Sequence, residues 1–440
     1  MRILIGAHGY PPTHSAGAER RAERMAHWLA VQGHEVEVFA IESLSEPGVR
    51  LDSSVQDGVL VHRLSYDIEA SDNPFRNLYD SPIVGNALRQ VLQQTQFDLM
   101  HLVSGYLLGG QAIHTVHEAG IPVVLTLTEY WFLCARLNLI QATEALCNGP
   151  ESAEKCTRCL MESKRRYRLP AQHVPQLMNL LWVGIHKTAS ASHQLNEVNR
   201  RQQVLRTALD AADLVICPSK YLISMFEEYG FDTSRYLFIR QGLAVQGAEG
   251  HVRKPATTGV MRIGYVGQIK PHKGVDLLID AVIGLINAGE IVRLELWGKE
   301  SEAPEYVDML KARSSAYPEI RWNGSYTGGK VWEVLSELDT LVVPSRWHEN
   351  SPNAILEAYK MGVLVVATDL GGMAELVKHD HCGLVFRLND VDDLRHQLER
   401  LLHEKGLAER LRENIPPVKS IDEEMREITE HYRQLLPNLS

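Results

Sequence analysis

Val342-Val343-Pro344-Ser345-Arg346-Trp347-His348-Glu349-Asn350-Ser351-Pro352-Asn353-Ala354-Ile355-Leu356-Glu357-Ala358 reads as the end of a strand, a polar loop and the start of a helix. The apolar run stops at Pro344, which has no N–H to give a sheet ladder. Ser351 suits the N-cap and Pro352 the first helical position, where its fixed φ is already helical. Glu349 therefore falls on the loop at the carboxyl end of a strand, the edge at which open α/β sheets bind ligands. Glu357 follows about two turns into the helix. The helix start between them, with Asn350 and Ser351 beside it, offers unpaired N–H groups and the positive end of a dipole, which suits a phosphate. Two carboxylates flanking an anion site can hold hydroxyls at either end of one ligand. Two solvated glutamates at a helix start are the plainer alternative.

The rhythm continues on both sides. Lys360 to Thr368 reads as a helix end running into a strand, and Asp369-Leu370-Gly371-Gly372-Met373-Ala374-Glu375 as a strand end and a further helix start. Upstream, Gly264-Tyr265-Val266-Gly267-Gln268-Ile269-Lys270-Pro271-His272-Lys273-Gly274-Val275 puts Lys273 beside a helix N-terminus at another strand's carboxyl end. A lysine there can neutralise a diphosphate as a point charge. Short apolar runs predict strands at 262–267, 293–298, 339–343, 363–367 and 383–387, with helices between them and a polar amphipathic helix over about 420–436. The first half repeats the pattern: strands at 2–7, 35–41, 59–64, 97–103, 122–127 and 213–217, and a helix over about 18–32 after the loop His8-Gly9-Tyr10-Pro11-Pro12-Thr13-His14-Ser15-Ala16-Gly17. The fold class is α/β, two doubly wound domains. The boundaries fall at 1–242, 259–415 and 416–440, with a Gly, Thr, Ala and Pro-rich linker between the first two.

Composition narrows the functions. The 440 residues carry 45 Lys plus Arg against 55 Asp plus Glu, a formal net charge of −10, so no basic face for duplex nucleic acid is expected. No apolar run reaches the ~18 residues that span a membrane, and the short run at Met1–Gly6 is no secretory signal, so a cytoplasmic protein is expected. The first loop lacks G-x-G-x-x-G, which counts against a nicotinamide-dependent oxidoreductase.

Nearly the whole chain resembles the retaining, nucleotide-sugar-dependent glycosyltransferases of family 4, which have the GT-B fold. The residues that carry the resemblance are Glu349 and Glu357, Lys273-Gly274, Gly371-Gly372 with Glu375, the loop through Gly17, and Asp213 with Pro218-Ser219. It implies two Rossmann-like domains facing across a cleft, the donor mainly on the second and the acceptor on the first. It implies transfer from a UDP- or GDP-type sugar to a hydroxyl of a saccharide, lipid-linked or small-molecule acceptor in polysaccharide or glycoconjugate biosynthesis. Carried over, Glu349 contacts the transferred sugar, Glu357 the ribose hydroxyls, Lys273 the diphosphate, and Gly17 lets the first loop approach the donor phosphates. No metal is expected in catalysis. The final helix is expected to cross back to the first domain. The chain departs from the family at Gln268, where an arginine is usual, and at Thr128-Glu129, where His-Asp is usual; Lys270 or His272 are candidate helpers for the missing arginine. A non-catalytic sugar-nucleotide or glycan-binding protein of the same fold is the alternative. Acceptor-side candidates are His8, His14, His101, Thr128 and Glu129, with a satisfied core histidine the alternative for His101.

Residues of about 134–206 show no strand pattern and read as an insertion in the first domain. They hold Cys134, Cys147, Cys156 and Cys159, spaced C-x12-C-x8-C-x2-C. Two thiolates two residues apart can face one ion, so a structural zinc is expected, with an iron–sulfur cluster as the alternative. The basic run Lys164-Arg165-Arg166-Tyr167-Arg168 reads as a solvated helix face, with peripheral contact to anionic lipid as the alternative.

Overall fold

The computed structural model describes residues 1–185, 189–254, 259–326 and 329–437. Residues 255–258 of the expected linker lie outside them. The chain divides into two compact units: Met1–Pro218 with Ile223–Ile239 and Met425–Ser440, and Ser219–Leu222 with Arg240–Glu424.

The first unit is built on eight strands: β1 (Arg2–Ala7), β2 (Glu35–Ser43), β3 (Ser45–Gln56), β4 (Val59–Asp67), β5 (Leu99–Val103), β6 (Val123–Thr126), β7 (Leu214–Cys217) and β8 (Tyr236–Phe238). Their order is β3-β4-β2-β1-β5-β6-β7-β8, parallel except where β3 pairs antiparallel with β4. β5, β6 and β7 are buried at every position, as strands covered on both faces must be. β3 is an addition to the expected strands. It lies at the sheet edge, mostly exposed, so it lacks the apolar alternation by which a strand is read. Between β6 and β7 the described chain adds no strand to the sheet and forms the helices Ala153–Glu162, Arg165–His173, Pro175–Ile185 and Ala189–Ala211.

The second unit is a six-stranded parallel sheet of β9 (Met261–Val266), β10 (Val292–Trp297), β11 (Ile320–Trp322), β12 (Thr340–Val343), β13 (Leu364–Thr368) and β14 (Leu384–Phe386), in the order β11-β10-β9-β12-β13-β14. Two apolar cores flank it. Ile263, Val342, Leu364 and Val366 face one, with Leu278 and Val282 of the helix Val275–Asn287. Val266, Leu341, Val343, Val365 and Ala367 face the other, with Ile355 and Ala358 of the helix Asn353–Lys360. This alternation explains why the strands read as unbroken apolar runs. Successive strands step outward from β9 to β11, and the chain then returns to β9's other side with β12. The switch point therefore lies between β9 and β12, and in the first sheet between β1 and β5. No helix among the described residues is long and apolar enough to cross a membrane.

Candidate active site

Lys273 closes a 3-10 turn, Pro271–Lys273, after β9. Gly274 follows at φ +69, and a Cβ there would stand 2.0 Å from the Pro344 carbonyl oxygen. Only glycine lets the loops after β9 and β12 approach so closely. Arg346 fastens them further: its N–H donates to the His272 carbonyl (2.8 Å) and its guanidinium grips both Asp276 oxygens (2.7 Å each). Burial would raise Asp276, but Arg346 and Tyr306 hold its carboxyl below the usual range. The sequence reading missed this clamp.

Across the switch point, Lys273 and Glu349 meet. Lys273 Nζ donates to Glu349 Oε1 at 2.6 Å and lies 4.9 Å from the Trp347 ring centre. The same carboxylate oxygen accepts from Ser345 Oγ and Trp347 Nε1, each at 2.9 Å. Glu349 is buried. Its carbonyl accepts the Gly372 N–H at 2.7 Å, and a Cβ on Gly372 would lie 1.9 Å from the Asn350 carbonyl oxygen. The glycine pair is thus the surface on which the Glu349 loop rests. Around this pair the ionisable groups are kept neutral. Burial, then the Lys273 charge, lowers His272 to about 4; burial alone lowers His348 to about 4; burial, then the Glu349 carboxylate, holds the Tyr265 hydroxyl well above its usual range.

The remaining donor-side residues are placed as follows. Glu357 lies on the helix Asn353–Lys360, and after burial its carboxylate is what raises the Tyr326 hydroxyl. Asn350 is buried. Ser351 is not the N-cap: the helix begins one residue later than expected, Pro352 (φ −66, ψ 121) flanks it, and Ser351 Oγ is buried without a hydrogen-bond partner. The helix start therefore has no side-chain cap. Gln268 is exposed, and its carbonyl accepts the Tyr265 hydroxyl at 2.5 Å. Lys270 pairs with Glu302 (2.9 Å), and its charge, like those of Lys273 and Glu349, acts on His272. Glu375 accepts the Tyr221 N–H at 3.0 Å and pairs with Arg240, while the Tyr221 ring stacks on His348 at 5.3 Å. Tyr221, Arg240 and His348 carry no motif by which sequence could have found them.

In the first unit, His8, Glu129 and Ser104 gather at the carboxyl ends of β1, β6 and β5. His8 Nε2 lies 3.1 Å from Glu19, its buried Nδ1 has no hydrogen-bond partner, and its ring meets Tyr106 edge-on at 5.4 Å. Glu129 accepts from Thr128 and from Ser104 Oγ (2.9 Å), and burial raises its carboxyl against those bonds and the nearby His8. A raised carboxyl beside an imidazole suits proton transfer. His14 is occupied by the Glu42 carbonyl, 2.8 Å from Nε2. Gly17 opens the helix Gly17–Val31, exposed, with no atom within 4 Å of where a Cβ would stand. His101 belongs elsewhere. It is fully buried on β5, between Thr126 Oγ1 (2.7 Å) and the Tyr432 hydroxyl, and burial lowers it to about 3. The expectation that it faces an acceptor is corrected: it is a satisfied core histidine.

Cys134, Cys147, Cys156 and Cys159 line one cavity of about 300 Å³ in the first unit. Burial and then the other three thiols push Cys156 up to about 12. Among the described residues no three His, Cys, Asp or Glu side chains form a group that could hold a metal ion, so the expected closed zinc tetrahedron is not supported. The basic run lies at the start of the helix Arg165–His173.

Two family models match the chain: a glycosyl transferase 4-like domain over residues 16–152 and glycosyl transferases group 1 over residues 261–404. Among relatives, the GDP-mannose-dependent alpha-mannosyltransferase of Mycolicibacterium smegmatis is 23% identical over 96% of this chain and 92% of the relative. The D-inositol 3-phosphate glycosyltransferase of Streptomyces bingchenggensis is 24% identical over 56% of each. The chain spans about half or less of the length of several relatives, 39% for the alpha-D-kanosaminyltransferase of Streptomyces kanamyceticus. Among solved structures, sucrose-phosphate synthase from Thermosynechococcus elongatus superposes with a TM-score of 0.66 at 17% identity, over 99% of both chains. Anabaena Alr3699/HepE in complex with UDP and glucose superposes with a TM-score of 0.62 at 15% identity, over 99% of this chain and 100% of that one.

Proposed function

Because the chain belongs to the family-4 glycosyltransferases and has their two-domain α/β fold, GT-B, we propose that it moves a sugar from a nucleoside-diphosphate sugar to an acceptor hydroxyl with retention at the anomeric carbon. The observation that carries this reading is the Lys273–Glu349 pair, formed from the carboxyl ends of the two strands that flank the switch point and set beside an uncapped helix start. Lys273 supplies positive charge for the diphosphate as the leaving group departs. Glu349 accepts from hydroxyls of the transferred sugar, and Glu357 from those of the ribose. Asn350, Ser351 and the N–H groups of Asn353–Lys360 complete the donor side; Gln268 takes the position of the usual arginine. Buried Ser351 Oγ, without a partner, supports a ligand there. Gly17 supports the same reading in the first unit, because packing within the chain does not demand glycine at that position.

In the step itself the bond from the anomeric carbon to the diphosphate oxygen breaks, and the acceptor oxygen bonds to the same face. The acceptor proton passes to the leaving phosphate. Such a step asks the protein for position and charge more than for a base. His8, Thr128 and Glu129 form the acceptor-side candidates, with His14 fixing the loop that carries His8. Mannosyl and glucosyl donors of UDP or GDP type are the first to try, and the acceptor class is a saccharide, lipid-linked or small-molecule hydroxyl. The reaction takes place in the cytoplasm, at the inner membrane face for a lipid-linked acceptor.

The test is a thermal-shift panel with UDP, GDP, ADP and dTDP, followed by turnover of the matching sugar donor. A ligand at ~100 times its Kd stabilises by about 2.7 kcal/mol. Glu349→Gln and Lys273→Met are each expected to lower kcat by about 10²–10³, the usual cost of one preorganised charge-stabilising group, with the fold retained by circular dichroism. Full turnover in both variants overturns the assignment. Nucleotide binding without transfer to any acceptor would favour the non-catalytic protein.

A further inference from the structure

The cysteine cavity is not explained by sugar transfer. Its thiols reach it from three places. Cys156 and Cys159 sit three residues apart on the helix Ala153–Glu162 and share one face. Cys134 follows the turn that closes at Tyr130, and Cys147 lies on the loop before the helix. A single zinc ion would draw four sulfurs to about 2.3 Å and leave no space between them. Here the four cysteines are among the residues that line a cavity of about 300 Å³, and no three of them form a group that could hold a single ion among the described residues. A water needs only about 10–15 Å³ by the same measure, so the space admits a group of several atoms.

A second observation shows the charge of that group. Arg201 lines the same cavity and is 2% exposed. Its guanidinium lies 4.1 Å from the Trp131 ring centre and donates Nη2 to the Trp131 carbonyl, while its buried Nε has no hydrogen-bond partner. The titratable groups that act on it are Cys134, Cys156 and Tyr79, with no carboxylate among them. A buried cation facing four neutral thiols is costly, whereas one facing an anionic group is not. One sulfur is also met by a backbone donor: the Gly149 N–H lies 3.4 Å from Cys147 Sγ. Four cysteines, with an N–H···S bond to one of them, are what an iron–sulfur cluster uses.

We propose that Cys134, Cys147, Cys156 and Cys159 ligate an iron–sulfur cluster in this cavity, with Arg201 as its buried counter-charge. Loading transfers a preformed cluster from an assembly source by ligand exchange: the source's own ligands leave the iron, the four cysteine sulfurs take their places, and each thiol releases one proton. The cluster closes the long β6–β7 connection onto itself a few residues from Thr128 and Glu129.

The full chain, expressed with both iron and zinc supplied and purified without oxygen, is analysed for metal and acid-labile sulfide. The expected result is iron and sulfide in equal amounts, about two or four of each per chain, with a visible absorbance that dithionite bleaches. Cys156→Ser is expected to lose most of both. Arg201→Gln is expected to keep the thiols but retain the cluster for a shorter time in air. One zinc per chain without sulfide, four titratable thiols without metal, or two disulfides in the anaerobic protein would each overturn the proposal. The measurement on the unaltered chain decides the matter even where a variant fails to fold.

Discussion

At the scale of single residues, the site divides into what chemistry announces and what only packing reveals. Gly17 is the clearest case. Nothing lies within 4 Å of its missing Cβ, and it stands at the first position of a helix. Gly17→Ala is therefore expected to leave stability within ~0.5 kcal/mol of the parent. It is also expected to raise the donor KM tenfold or more, about 1.4 kcal/mol of lost binding. Urea unfolding and steady-state kinetics on one preparation check both halves, and unchanged kinetics would remove Gly17 from the donor site. Lys273 and Glu349 were legible singly, each from a strand end and a helix start. Their ion pair was not, because 76 residues separate them and only the strand order brings them together. Ser351 misled for a local reason: a serine before proline resembles a cap, but Pro352 with ψ 121 stays extended and moves the helix start past it.

At the scale of elements, the second unit depends on close approaches that only glycine permits. Gly274→Ala combines a left-handed backbone with a Cβ 2.0 Å from the Pro344 oxygen. The backbone strain alone costs about 1–3 kcal/mol, and the clash forces the β9 and β12 loops apart. The expected outcome is a lower urea midpoint together with loss of activity. Gly289→Ala, at φ +90 with open space around it, is the control, and is expected to lose stability without losing the site. Equal activity in both variants would show that the loops do not need their contact. The strands of this unit were legible to within about one residue, because buried parallel strands are apolar throughout. Three elements escaped. β8 and β11 are three residues long and lie at sheet edges. β3 is mostly exposed, but it had a signal that was passed over: Asp57-Gly58, at φ +48 and +82, is the turn that joins an antiparallel hairpin.

At the scale of the whole molecule, the helix Ile421–Leu435 begins among residues of the second unit and ends among those of the first. Met425, Ile428 and Tyr432 bury themselves there, and the Tyr432 hydroxyl meets His101 across 331 positions of sequence. Because burial lowers His101 to about 3, the unfolded chain takes up a proton near pH 6.5 that the folded chain refuses. The contribution of His101 is complete above that pH and is lost as the pH falls toward the folded value, by up to about 1.4 kcal/mol per pH unit. His101→Gln is expected to be less stable at pH 7.5 and to show a shallower decline between pH 6.5 and pH 4. Parallel slopes for the two proteins would show that other groups govern the acid limb. The placement of that helix also has a meaning in time. A ribosome makes residues 425–437 only after the whole of 240–424. The first unit must therefore wait, without its Tyr432 partner for His101, while the second is synthesised. A nascent chain stalled or cut anywhere in the second unit lacks Met425, Ile428 and Tyr432, so interrupted synthesis leaves the residues they pack against open to chaperones and proteases.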